Sequence, residues 1–467
     1  MSQIIRYLIP TIVGIILFIS PVPVGLDPKG WKLFAIFVPT ILGIIFKPLP
    51  MGPIALLGLL MATLTGALNL GTEGLTGFAS PVIWLIVLVF FIARGFIKTQ
   101  LGTRIAYHFV KHLGHKTLGL GYGLIFTETV IAPVIPSNVA RAGGVMFPIL
   151  KSISESLGSS PENGTERKVG SYLTQVCFQG NLITSAMFLT AMAANPMVQD
   201  FAAMQGIQIT WANWFLAALV PGILSIIIVP FVLYLIYPPE VKEFPEAVTM
   251  AKQKLHEMGP MSKAEWTMTG VFFLMLGFWI FGDKLGITAT TTALLGLCLL
   301  LVTGVLTWKD VLNEHDAWHT LVWLSILVMM SAFLEKFGFI GWFSGHIGSF
   351  VAGWPWGTAF LALVLVYFYS HYFFASNTAH VSSMYAAFLA VAIASGTPPL
   401  LAALALGFCS SLFSSMTHYG TSAAPPLFGT GYVPIAAWWG VGLVVSFVNL
   451  AIWIGAGGVW WKILGMW

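Results

Sequence analysis

The chain is 467 residues long, 57% hydrophobic and 8% charged, whereas soluble domains carry about 25% charged residues. That balance excludes a soluble fold and makes lipid the solvent for most of the surface. The formal charge of +4 and sequence pI near 8.8 call for no nucleic-acid partner, because cytoplasmic loops of membrane proteins gather Lys and Arg.

In chain order, the first element is an apolar run at about 7–24. Met1–Arg6 and the apolar residues up to Ser20 have a signal peptide's outline, but PVPVGLDPKG follows where a cleavage site would stand. The run therefore reads as the first membrane helix. Runs long enough to cross a bilayer, or nearly so, follow at about 31–46, 51–68, 80–98, 170–199, 212–237, 265–282, 287–306, 317–335, 399–416 and 433–460. RIAYHFVKHLGHK sets Arg104, Lys111 and Lys116 beside Ile105, Phe109 and Leu113, with His108, His112 and His115 at helical spacing. It reads as a basic amphipathic helix on the cytoplasmic surface rather than a metal site. GLGYG at 119–123 has no strand–helix unit around it and is no nucleotide loop. Cys177, Cys298 and Cys409 lie in apolar stretches and read as small core residues.

Two more apolar segments, about 117–150 and 357–395, are polar in their middles. One reads VIPSNVARAG and the other FFASNTAHVS, with Asn138 and Asn377 standing 239 positions apart. Pro133, Pro136 and the Gly143-Gly144 pair make a straight helix improbable through the first. Both segments read as re-entrant hairpins with a Ser-Asn tip. Ser137, Asn138, Ser376, Asn377 and Thr378 offer short neutral groups able to hold a carboxylate, though such residues also stabilise a turn on their own.

With the N-terminus in the cytoplasm, fifteen of the 21 Lys and Arg fall inside. Five fall outside (Lys29, Lys32, Lys284, Lys336 and Lys462), and Arg141 stays within the membrane. This bias fixes the orientation and requires the two hairpins to open to opposite sides. The expected architecture is an all-α multi-pass membrane protein with about 11 transmembrane helices and two re-entrant hairpins. A first inverted repeat covers 1–237, a cytoplasmic linker 238–264 and a second repeat 265–467. Such repeats mark transporters, with the substrate bound near mid-membrane. Small residues and prolines predict helix breaks near 190–196 (Thr190, Ala191, then Asn195-Pro196) and near 417–426 (Thr417, His418, Gly420, Thr421, Ser422, then Pro425-Pro426).

An arginine in lipid costs at least about 2.5–3.5 kcal/mol and needs a partner or a functional role. Glu128, in the same hairpin, is the nearest intramembrane carboxylate and a candidate partner or proton relay. His380 takes the equivalent place in the other half without an acidic residue in its hairpin. The second candidate counter-ion is thus a substrate of two negative charges.

PSNVARAGG, SNTAHVSS and THYGTSAAPPLFGTGYV resemble the divalent anion:sodium symporter family over nearly the whole chain, in particular its bacterial branch of citrate, tartrate and 2-oxoglutarate/malate exchangers. The resemblance implies a homodimer, each protomer with a scaffold domain and a mobile transport domain working as an elevator. It implies substrate contacts at Ser137, Asn138, Ser376, Asn377, Thr378, Thr421 and Ser422, with Ala191 and Gly420 at the breaks. In the symporters, backbone near the tips and breaks binds sodium. Here Val139 replaces a threonine of the pattern, and Arg141 and His380 stand as fixed positive groups beside the sodium positions.

The expected function is therefore sodium-independent exchange of dicarboxylates of the 2-oxoglutarate, malate, fumarate and succinate class, without cofactor, metal or enzymatic chemistry. An unpaired arginine could not recross the membrane without its anion, which would trap the empty carrier. The alternatives are a sodium- or proton-coupled di- or tricarboxylate symporter and a citrate/succinate antiporter. A membrane transferase would need clustered intramembrane aspartates, which the chain lacks.

Overall fold

The structure, a computed structural model, describes residues 3–348 and 353–467. Met1 and Ser2, where the expected first repeat begins, lie outside the described residues. The first half runs α1 (Gln3–Ile19), α2 (Pro28–Phe46), α3 (Met51–Leu64), α4 (Pro81–Thr99), α5 (Leu101–Leu113), α6 (Thr117–Ile131), α7 (Phe147–Ser156), α8 (Gly170–Met187), α9 (Ala194–Met204) and α10 (Trp211–Ile236). After α11 (Pro245–Met258) the second half runs α12 (Lys263–Leu285), α13 (Ala289–Val302), α14 (Trp308–Leu312), α15 (His315–Lys336), α16 (Phe339–Gly348), α17 (Trp356–Ser370) and α18 (Asn377–His380). It closes with α19 (Ala386–Ala394), α20 (Pro399–Leu412), α21 (Ala424–Phe428), α22 (Ile435–Leu450) and α23 (Gly457–Ile463).

Nine described helical stretches are at least 18 residues long and apolar enough to cross a membrane, and four shorter apolar helices accompany them. Eighteen residues rising 1.5 Å each span about 27 Å, close to the roughly 30 Å hydrocarbon core. Each apolar run read from the sequence carries a helix. The one at 339–348 was not expected, because FIGWFSGHIG is short and rich in glycine. α5 forms as expected, but its buried stripe is Leu101, Arg104, Ala106, Tyr107 and Val110 rather than Ile105, Phe109 and Leu113. Arg104 turns inward, its Nε 2.5 Å from Glu265 Oε1 and its Nη1 2.8 Å from Gly259 O. Cys298 is exposed, so only Cys177 and Cys409 are core cysteines.

The two halves repeat local structure. α3 and α13 are both 14 residues long and both end in Thr-Gly, with Gly66 at φ 70 and Gly304 at φ 74. That left-handed closure suits glycine. Two residues on, Leu68 N donates to Ala62 O and Leu306 N to Leu300 O, both at 3.0 Å. Asn69 and Thr307 then cap the next turn.

The chain divides into two compact units that both draw on both halves. One contains 1–87, 196–209 and 314–406; the other contains 88–195, 210–313 and 407–467. In the first, α15 packs on α2, α3 and α16, and α19 packs on α16 and α17. In the second, α8 is buried along its whole length, with α6 and α10 against it.

Candidate functional site

In the second unit, α6 ends in a short 3-10 turn over Ala132–Val134, Ile135–Ser137 form a non-helical tip, and Asn138 opens the next helical turn. Pro133 and Pro136 explain the break, since neither can donate to a helical ladder. Ser137 Oγ accepts from Ala140 N at 3.1 Å and Ser137 O accepts from Arg141 N at 3.0 Å. A wide π-type turn over Ala140–Met146 then leads into α7. Asn138 donates through Nδ2 to Thr421 Oγ1 at 2.8 Å and accepts from Val139 N at 3.0 Å. Ser137 and Asn138 are each 9% exposed, Thr421 is fully buried, and Val139 is half-buried.

Two interruptions of helix lie beside this tip. α8 stops at Met187, the chain extends at Phe188 and Met192 around a 3-10 turn of Leu189–Ala191, and α9 begins at Ala194. Pro196 therefore stands in the first turn of α9, and Pro425 and Pro426 in that of α21. A missing N–H costs nothing there. The residues without a regular helix lie just before the prolines, at 188–193 and 416–423.

Arg141 links the tip to the first break. Its side chain is 0% exposed. Nε donates to Glu128 Oε1 at 2.7 Å, Nη1 to Ile135 O and Ala191 O at 2.5 Å each, and Nη2 to Ser185 Oγ at 2.6 Å. Asn181 Nδ2 also donates to Glu128 Oε1 at 2.7 Å and to Asn138 O at 3.1 Å. Thr190 Oγ1 donates to Pro133 O at 2.6 Å. Of the two counter-ions considered for Arg141, this structure supplies Glu128, the more local one. The guanidinium is spent on protein acceptors, two of them backbone carbonyls freed by the tip and the break.

Asn181 and Ser185 escaped the sequence analysis. A signal existed: α8 carries Gln175, Gln179, Asn181, Thr184 and Ser185 in a membrane-length apolar run, and polar residues there demand partners. Gln179 Nε2 donates to Ser415 O at 3.0 Å and Ser411 Oγ to Leu182 O at 2.8 Å, so α8 runs antiparallel to the helix that carries the second break. Around that break Thr417 is buried, His418 Nδ1 accepts from Trp439 Nε1 at 3.1 Å, Gly420 is buried and Ser422 is exposed.

The first unit holds the second tip, built by the same turn. Ser376 Oγ accepts from Ala379 N at 3.4 Å, and Ser376 O accepts from His380 N at 3.1 Å. Ser376 Oγ and Thr378 Oγ1 are 2.8 Å apart. A π-type turn over Val381–Tyr385 follows α18. Ser376 and Asn377 are buried, Thr378 is half-buried, and His380 is fully buried among Tyr367, His371 and Phe374.

Residues 1–467 match the model of the sodium:sulfate symporter transmembrane region. The chain is 55% identical to the putative malate transporter YflS of Bacillus subtilis, over 100% of this chain and 97% of that one. It is 52% identical to dicarboxylate transporter 1, chloroplastic, of Arabidopsis thaliana, over 97% and 82%. In fold it is similar to the YdaH transporter of Alcanivorax borkumensis, with TM-score 0.60, 13% identity and coverage of 98% and 96%. The chain is a multi-pass membrane protein and belongs to the sodium:sulfate symporter, or divalent anion:sodium symporter, family.

Proposed function

We propose that this protein is a secondary transporter of the cell membrane, its N-terminus in the cytoplasm, that exchanges one dicarboxylate for another without sodium. The printed names of its relatives, a putative malate transporter and dicarboxylate transporters, support the substrate class. The site chemistry agrees with it. Ser137, Asn138 and Thr421 at one tip, with Ser376, Asn377 and Thr378 at the other, are neutral donors suited to carboxylates.

The observation that carries sodium independence is the guanidinium on Ile135 O and Ala191 O. Carbonyls released at a tip and a helix break are natural sodium ligands, and a permanently charged side chain satisfies them here. With Glu128 as its counter-ion, Arg141 orders the tip and leaves the substrate to the neutral donors. Exchange then follows from dry polar groups rather than from a naked charge. Carrying polar tips and a buried ion pair through the membrane is costly, which slows return of the empty carrier.

The reading includes two oppositely oriented repeats with re-entrant hairpins, an elevator motion and a homodimer. The test is counterflow into proteoliposomes with malate, fumarate, succinate, 2-oxoglutarate and citrate, with and without sodium. Uptake should require internal dicarboxylate and ignore sodium. Robust uptake into empty vesicles on a sodium gradient overturns the reading in favour of symport.

A further inference from the structure

Helices α1, α2 and α3 of the first unit enclose an apolar trough of about 550 Å³. Gly14 and Phe18 line it from α1, Pro39 and Gly43 from α2, and Gly58 and Met61 from α3. A β-carbon on Gly58 would stand 2.5 Å from Thr40 Oγ1, so only glycine lets α3 close on α2. The hydroxyls of Thr11, Thr40 and Thr65, all on the wall, donate back to Tyr7 O, Ile36 O and Met61 O of their own helices. The interior therefore offers no free polar group to a guest. Ile15, Leu57 and Met61 are exposed and open the trough toward lipid.

Two bonds mark its ends. The Tyr7 hydroxyl donates to Pro48 O at 3.2 Å, and Trp31 Nε1 donates to Leu17 O at 3.1 Å. Tyr7 and Ile19, both on the wall, are 19 − 7 = 12 residues apart, a rise of about 18 Å. That is roughly one leaflet of the 30 Å hydrocarbon core. Spread over this length, 550 Å³ leaves a cross-section of about 30 Å², against about 80 Å² for a helix 10 Å across. An extended hydrocarbon chain fits that space, and a helix does not.

Two cations stand at the Tyr7–Pro48 end. Arg6 lies one turn before Pro10, on the face that lines the trough, and Lys47 immediately precedes Pro48. Both are exposed, and neither has an ion-pair partner among the described residues. Lys47 caps α2 at φ 51, its N–H donating to Gly43 O at 2.8 Å. Glycine suits that conformation best, yet a lysine holds the position. Asp316 lies in the first turn of α15, which meets α3 on a different face, where Gly52 lies against the His319 ring.

We propose that this trough binds an anionic phospholipid, with one acyl chain along α1, α2 and α3 and the phosphate on Arg6 and Lys47. Lipid tails are as apolar as the walls, so the trough supplies shape and the two cations supply the preference. The orientation proposed above sets this end in the cytoplasmic leaflet, where anionic headgroups attract Lys and Arg. The bound lipid would fasten α1 to the turn between α2 and α3.

The test reconstitutes the full chain in phosphatidylcholine vesicles doped with phosphatidylglycerol that carries a photoactivatable group on one acyl chain. Mass spectrometry should place the label on the stretches of α1, α2 and α3 that line the trough. At low salt, labelling there should exceed that by phosphatidylcholine bearing the same group about thirtyfold, from about fivefold for each cation. Arg6→Gln and Lys47→Gln, both at exposed positions, should each lower that preference about fivefold. Leu57→Trp should fill the opening and remove the label from the trough. Equal labelling by the two lipids, or an unchanged preference in both glutamine variants, overturns the proposal. Disulfide-linked dimers of Leu57→Cys, made with Cys298→Ser, that shut out the label assign the trough to a second copy and overturn it as well. None of these readouts depends on transport.

Discussion

Glu128→Ala removes the counter-ion of a guanidinium that is fully buried. Taking away one member of a buried ion pair costs about 3–5 kcal/mol. Glu128 Oε1 accepts from Arg141 and Asn181, while Oε2 has no partner among the described residues. The loss therefore falls on one oxygen, and we expect the lower end, about 3 kcal/mol. Thermal unfolding in detergent should show a fall of about 3–6 °C, scaled down from the shift per kcal/mol of smaller proteins. Arg141→Ala should cost as much, and the double variant less than the sum, with a coupling of about 2 kcal/mol. Glu128→Gln separates structure from ligation. Were the guanidinium facing substrate, freeing it would tighten dianion binding, whereas the observed network predicts weaker binding. Additive single effects below about 1 kcal/mol, or tighter binding in Glu128→Gln, refute the pairing.

Asn138→Ala should weaken dicarboxylate binding about two- to tenfold, from one lost buried hydrogen bond of roughly 0.5–1.5 kcal/mol. Thr421→Ser, which keeps the acceptor for Asn138 Nδ2, should bind nearly as the wild type in a radioligand assay. Arg141→Lys should lose most exchange in proteoliposomes, because an ammonium cannot span Glu128, Ile135 O, Ala191 O and Ser185 together. In the last turn of α4, Lys98 Nζ lies 2.7 Å from Asp310 Oδ2. This bond, helped by those from Thr307, holds the Asp310 carboxyl down at about 2. A depressed carboxyl stabilises above its unfolded value and loses that contribution as pH falls through about 2. Asp310→Asn should therefore cost below about 1 kcal/mol at pH 7, and its melting temperature should converge on the wild type's as the medium approaches pH 2.

Much of the fold was legible because lipid leaves the backbone little choice but helix. Apolar runs such as 212–237 and 317–335 appear as α10 and α15 almost residue for residue. The tips were legible too, since Pro133, Pro136 and the Ser-Asn pairs interrupt apolar sequence in only one way. The partners of the tips were not. Asn181 lies 43 residues from the Asn138 carbonyl it holds, and Thr421 lies 283 residues from the Asn138 amide it accepts. No periodicity encodes such pairs.

By itself, the sequence determined that the chain lives in a bilayer, that two polar tips and two helix breaks interrupt it, and that a buried arginine needs an anion. Hydrophobic transfer and backbone satisfaction act on segments, and segments are visible in one dimension. Only the tertiary structure decided which anion meets Arg141 and which side chains hold the Asn138 tip. Both Glu128 and a substrate carboxylate satisfy the same electrostatic demand, and the packing of α8 against α6 makes the choice between them.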